Sequence, residues 1–133
     1  MTPPPPEPAP AEPTPRTDEH PREEREKSLA RIKQWSEERN DASARVIRIE
    51  LGLKGVKGHE EDVANAQKFL GDVKGWLDEE KPSYERARRE VEEKGLGIRL
   101  DDRIKVNTLH FKAYRRLGLI EEMLIAVLPD LKD

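Results

Sequence analysis

Apolar residues in this chain recur at helical rather than strand spacing. The clearest stripe is Val63, Ala66, Leu70, Val73 and Leu77, separated by three, four, three and four positions, with Phe69 and Trp76 widening it. That period puts all five on one face of an amphipathic helix, and Glu60, Glu61 and Asp62 suit the positive end of its dipole. Ala42, Val46, Ile49 and Leu53 form a second stripe, and residues 22–51 contain no proline or glycine. These features predict a long N-terminal helix, with Glu23 four residues ahead of Lys27 in the favourable ion-pair order. Its first half is polar: Leu29, Ile32 and Trp35 stand isolated among charges, so this half is expected to project or to pair with a partner. Gly52, Gly55 and Gly58 mark the connection between the two stripes.

Further elements follow from breaks in the pattern. Pro82 suits the first turn of a third helix, Gly95 its left-handed end, and Tyr84, Ala87 and Val91 give it a thin apolar stripe. In 98–106, Ile98 and Leu100 alternate before Asp101 and Asp102, and Ile104 and Val106 alternate after them. A short β-hairpin fits this pattern, the alternative being a helical turn capped by Asp101. Asn107 as an N-cap would set Val106 and Phe111 at the two positions of a hydrophobic staple and open a helix to Leu117, ahead of Gly118. Residues 119–128 hold eight apolar residues in ten and are stopped by Pro129. A helix apolar almost all round belongs either at the centre of a fold or in an interface. The expected fold is therefore mainly α, a small bundle of four to five helices with a long first helix and a short hairpin near 98–106. Gly71 and Gly75 lie inside the second helix at about 1 kcal/mol each relative to alanine, offset by close packing of another helix or simply tolerated.

Nine of the eleven prolines lie in residues 1–21, which lack apolar residues to bury. This stretch reads as a disordered tail with polyproline II character, a spacer or, through Pro3 to Pro6, a PxxP ligand; residues 22–133 form the helical domain. Charged residues make up 40% of the chain and hydrophobic ones 34%, so the core is small and a protein partner or homo-oligomer is expected. The absence of cysteine excludes disulfides, thiolate nucleophiles and thiolate metal sites, and it suits a reducing compartment. No basic and apolar leader opens the chain, and no apolar run approaches the ~20 residues needed to span a bilayer. A cytoplasmic location without membrane contact is the expectation.

Reactive chemistry is not evident. His20, His59 and His110 are scattered, and His59 beside Glu60, Glu61 and Asp62 lacks the second histidine four residues on that a zinc-protease helix carries. The glycines of 52–58 match no phosphate loop. No catalytic residue, metal, cofactor or small-molecule substrate is therefore expected. The leading reading is a non-enzymatic helical assembly or adaptor subunit that self-associates or joins a larger complex. Its interface would be Leu119, Ile120, Met123, Leu124, Val127 and Leu128, with Leu29, Ile32 and Trp35.

Charge adds an alternative. The net charge of −3 conceals blocks of alternating sign, and the block at 95–118 concentrates Arg99, Arg103, Lys105, Lys112, Arg115 and Arg116. Phosphate contacts by these cations would suit a nucleic-acid-binding regulator or DNA-packaging factor. The run from Thr108 through Tyr114, Arg115, Arg116, Leu117, Gly118, Leu119 and Ile120 resembles the recognition helix of helix-turn-helix regulators and transposase ends. The residues between Gly95 and Val106 depart from that family, whose turn is only three or four residues long. A regulatory subunit of an enzyme is the third reading.

Overall fold

The computed structural model describes residues 22–127, in which the apolar stripes close into three helices: α1, Arg25–Leu53; α2, Glu60–Glu92; α3, Leu100–Leu124. On α1 the buried face is Ser28, Ile32, Trp35, Ala42, Val46, Ile49 and Leu53; on α2 it runs from Ala66 to Val91, and on α3 from Asp102 to Leu124. Short connections at 54–59 and 93–99 reverse the chain twice. The start of α1 therefore lies beside the end of α2 and the start of α3, and α2 and α3 share the most extensive contact.

The mainly helical expectation holds, while the number of helices and the hairpin are corrected. The two helices expected on either side of Pro82 are one. Pro82 cannot donate to the Asp78 carbonyl, but both residues are exposed, so the lost bond faces water. The expected hairpin at 98–106 is the end of a connection followed by the first turns of α3. Its last two apolar positions obey helical logic: Val106 is buried while Ile104 is exposed. Asn107 is consequently no N-cap. It lies within α3, where its Oδ1 accepts a hydrogen bond from Trp35 Nε1 at 2.9 Å, and Phe111 points outward rather than stapling a helix start. Gly118 interrupts nothing, because it sits on the exposed face with open space around it. The last helix ends at Leu124, ahead of Pro129.

Nor does the first half of α1 project. Ile32 and Trp35 pack against Tyr84, Ala87, Val91, Ile98 and Val106. The segment entering α1 is sealed onto the α2–α3 connection: Glu23 N–H donates to the Ile98 carbonyl at 3.0 Å, and Ile98 N–H donates to Ser28 Oγ at 3.1 Å. Gly97 permits this approach, since a Cβ there would stand 1.8 Å from the Glu23 carbonyl oxygen. Gly95, with φ of +71°, takes the left-handed turn that ends α2. The opposite end of the bundle is wholly apolar inside, built from Ala42, Val46, Ile49 and Leu53 with Ala66, Leu70, Val73, Ala113, Leu117, Ile120 and Leu124. No helix among the described residues is long and apolar enough to cross a membrane. The 1–21 tail lies outside the described residues.

Candidate functional site

With the core face of α3 committed to Val106, Leu109, His110, Ala113, Leu117 and Ile120, the adjacent face carries a second row one step around the helix. Thr108, Phe111, Lys112, Arg115, Arg116, Leu119 and Glu122 meet Trp76 of α2 there, in an open groove of about 720 Å³. Phe111 is 64% exposed and Leu119 45% exposed. Cations and rings are interleaved: the Arg116 guanidinium lies 4.7 Å from the Phe69 ring centre and 5.1 Å from that of Trp76, and Lys112 Nζ lies 5.8 Å from Trp76. Arg116 also pairs with Asp72 at 2.6 Å. Lys112 and Arg115 have no acidic partner among the described residues. A second depression, between α1 and α2, is lined by Ile47, Leu51 and Gly71, but it has no aromatic face and its Glu50 and Lys74 pair with each other.

The six cations singled out from the sequence are not one free patch. Arg99 pairs with Glu90 at 2.8 Å, Arg103 with Glu23 at 3.6 Å and Lys105 with Glu79 at 3.3 Å, which leaves Lys112, Arg115 and Arg116 on the groove. The run resembling a recognition helix is the middle of α3, with Ala113, Leu117 and Ile120 buried against the rest of the bundle. Of the apolar residues expected at an interface, Ile32, Trp35, Ile120 and Leu124 are buried within this chain's own core. Met123 and Val127 are half-buried, Leu29 and Leu119 are exposed, and Leu128 lies outside the described residues. Gly71 and Gly75 do not serve close packing inside the bundle, because both are exposed and a Cβ at either would meet nothing within 4 Å.

The sequence pattern did not predict a polar layer through the middle of the bundle, built from Glu38 and Arg39 of α1, Glu80 of α2 and His110 of α3. Glu80 is fully buried and His110 is 5% exposed. The His110 ring is held between two carboxylates, with Nδ1 2.7 Å from Glu38 Oε1 and Nε2 in contact with Glu80 Oε2. Arg39 Nε donates to Glu80 Oε1 at 2.8 Å and its guanidinium lies 4.6 Å from the Tyr84 ring centre. Burial alone would lower the histidine's pKa. The hydrogen bonds and charges of Glu80 and Glu38 outweigh burial and hold it above its ordinary value of 6.5, so the ring favours the imidazolium, whose two N–H groups match two acceptors. Beside this layer, burial and the hydrogen bond from Tyr114 Oη to Asp41 at 2.8 Å push the phenol above its usual range. His110 and Glu80, buried together, clamp α3 to α2, and the half-buried Glu38 and Arg39 tie both to α1. No cluster among the described residues could hold a metal ion.

The fold and the groove together define a three-helix bundle with a polar central layer and one aromatic, cationic face. Compared with known protein families, characterised proteins and solved structures, the chain matches none.

Proposed function

We propose that this chain is a non-enzymatic assembly or adaptor subunit that presents the α2–α3 groove to a protein partner. One observation carries the reading: Phe111, mostly in water, and Leu119, nearly half exposed, stand on a groove that also displays Lys112 and Arg115. Each large apolar side chain left exposed forgoes roughly 1.5 to 3 kcal/mol of burial, and apolar patches with a polar rim are characteristic of docking surfaces. The aromatic and arginine content is that of interface hot spots. Size-exclusion chromatography with light scattering, repeated on Phe111→Glu, tests it. A stable assembly that Phe111→Glu dissociates supports the reading, and a strictly monomeric chain that retains no partner overturns it.

Nucleic-acid binding is the second reading, favoured by the proximity of Lys112, Arg115 and Arg116 to Trp76 and Phe111, the pairing of cation and stacking ring used for single strands. It ranks below the first because four of the six cations of 99–116 are neutralised by this chain's own acids. It requires affinity that falls steeply with salt and is lost in Arg115→Glu. A regulatory subunit of an enzyme would use the same groove and differ only in the partner.

A further inference from the structure

The segment preceding α1 is matched to the groove in three respects. The first is shape. Residues 1–21 hold nine prolines, and proline-rich segments favour polyproline II, a form that docks through its rings in aromatic-lined grooves. Trp76 and Phe111 line this one. The second is charge. Glu7, Glu12, Asp18 and Glu19 oppose a single Arg16 in the segment, whereas the groove offers Lys112 and Arg115 without acidic partners among the described residues.

The third is tethering. The segment joins the bundle at Arg22, whose backbone bridges Arg99 and whose guanidinium donates to the Gly97 carbonyl at 2.8 Å, so the chain enters beside the start of α3. From there the groove, at 108–119, lies about 14 to 30 Å along α3 at 1.5 Å per residue. A 21-residue polyproline II segment reaches about 65 Å at ~3.1 Å per residue, so length is no obstacle. A short tether also confers an effective concentration in the millimolar range, enough for a contact too weak to persist between separate chains.

We propose that the acidic proline-rich segment at residues 3–15 folds back onto the α2–α3 groove of its own chain, its prolines against Trp76 and Phe111 and Glu7 or Glu12 against Lys112 and Arg115. The proposal rests on the groove being a docking surface, as in the assembly reading. It adds that a partner must displace an internal competitor.

Because the chain has no cysteine, Ala9→Cys provides a unique site for a nitroxide label on the full-length protein. In the ¹⁵N-labelled chain at low salt, the Trp76 indole and the amides of Phe111, Arg115 and Leu119 should lose more than half their intensity to paramagnetic broadening. The loss should vanish in Lys112→Glu/Arg115→Glu, whose helical circular dichroism should match the parent. An equal mixture of ¹⁵N chain without the label and label-bearing ¹⁴N chain should show no broadening. Groove resonances unaffected in the first sample, or affected no more than those of Ile47 and Leu51 on the far face, overturn the proposal. Broadening as strong in the mixture as in the single chain also overturns it, and assigns the groove to a second copy's segment. Neither result touches the partner reading, which falls only on the light-scattering comparison with Phe111→Glu.

Discussion

The two ends of the bundle are held together by different physics. At the end containing the C-terminus of α1, the N-terminus of α2 and the C-terminus of α3, eleven buried apolar residues form the interior and no charged group is enclosed. From the central layer to the other end, a smaller apolar cluster shares the interior with Ser28, Glu80, Ser83, Glu90, Asp102 and His110, all buried. The ions there link separate elements: Glu90 pairs with Arg22 and Arg99, Asp102 with Arg86, Glu80 with Arg39 and His110, and Glu23, ahead of α1, joins Arg31 of α1 to Arg103 of α3. Apolar packing is non-directional and tolerates a shift in register, whereas a buried charge is stable only opposite its partner. The ionic end therefore selects which helix positions lie side by side, and the apolar end supplies most of the burial.

The comparison is tested most severely at Glu80. Glu80→Ala strands Arg39 and removes one of the acceptors of His110, and it should cost about 3 to 5 kcal/mol in urea unfolding, the usual penalty for breaking a buried ion pair. A cost near that of an exposed pair would mean the layer is solvated. Leu70→Ala probes the other end. Leu70 is buried, so about 2 to 5 kcal/mol should be lost, and a loss below about 1 kcal/mol would place the core elsewhere.

Acidity separates the ends next. The His110 pKa is raised in the folded state, so its contribution is complete below about 6.5 and is lost as pH rises through the folded value. Glu23 is held below its ordinary 4.5 by its hydrogen bond to Arg31. Glu90, despite burial, is held below it by hydrogen bonds to Arg99 and Arg22. The contributions of both are present above that value and lost as pH falls. Thermal stability should thus pass through a maximum between the two ranges, and His110→Gln should flatten only the alkaline limb. Hydrogen exchange should show the pH-dependent opening at Trp35 and Val106 before Val73 and Leu117. The smallest effect is a gain: Gly71→Ala and Gly75→Ala, each in open space on a helix, should stabilise by up to about 1 kcal/mol apiece, and a loss would show that these positions meet a partner.

Much of this architecture was legible in the spacing. The stripe Val63 to Leu77 continues through Glu80, Tyr84, Ala87 and Val91 without a break in period, so α2 could be followed past Pro82 by giving periodicity more weight than a single proline on the polar side. In the same way Asp102, Val106, Leu109, Ala113, Leu117, Ile120 and Leu124 trace α3, and the local alternation of Ile104 and Val106 suggested a strand only because the window was short. His110 sits four residues after Val106 and three before Ala113, on the buried face, which was the one available sign of its role. The groove was less visible: Phe111 read as half of a hydrophobic staple and Trp76 as the edge of a core stripe, because nothing in a one-dimensional pattern tells a ring covered on one side from one covered on both.

Helix content, the apolar end and the absence of thiol chemistry follow from residue order alone, because helical period and composition are local properties of a chain. Which charges are buried, which cations remain unpaired and which aromatic faces meet water were decided only when three helices came together. The state of an ion or a ring at those positions depends on a partner forty to seventy-five residues away, as for Arg39 and Glu80 or Glu38 and His110.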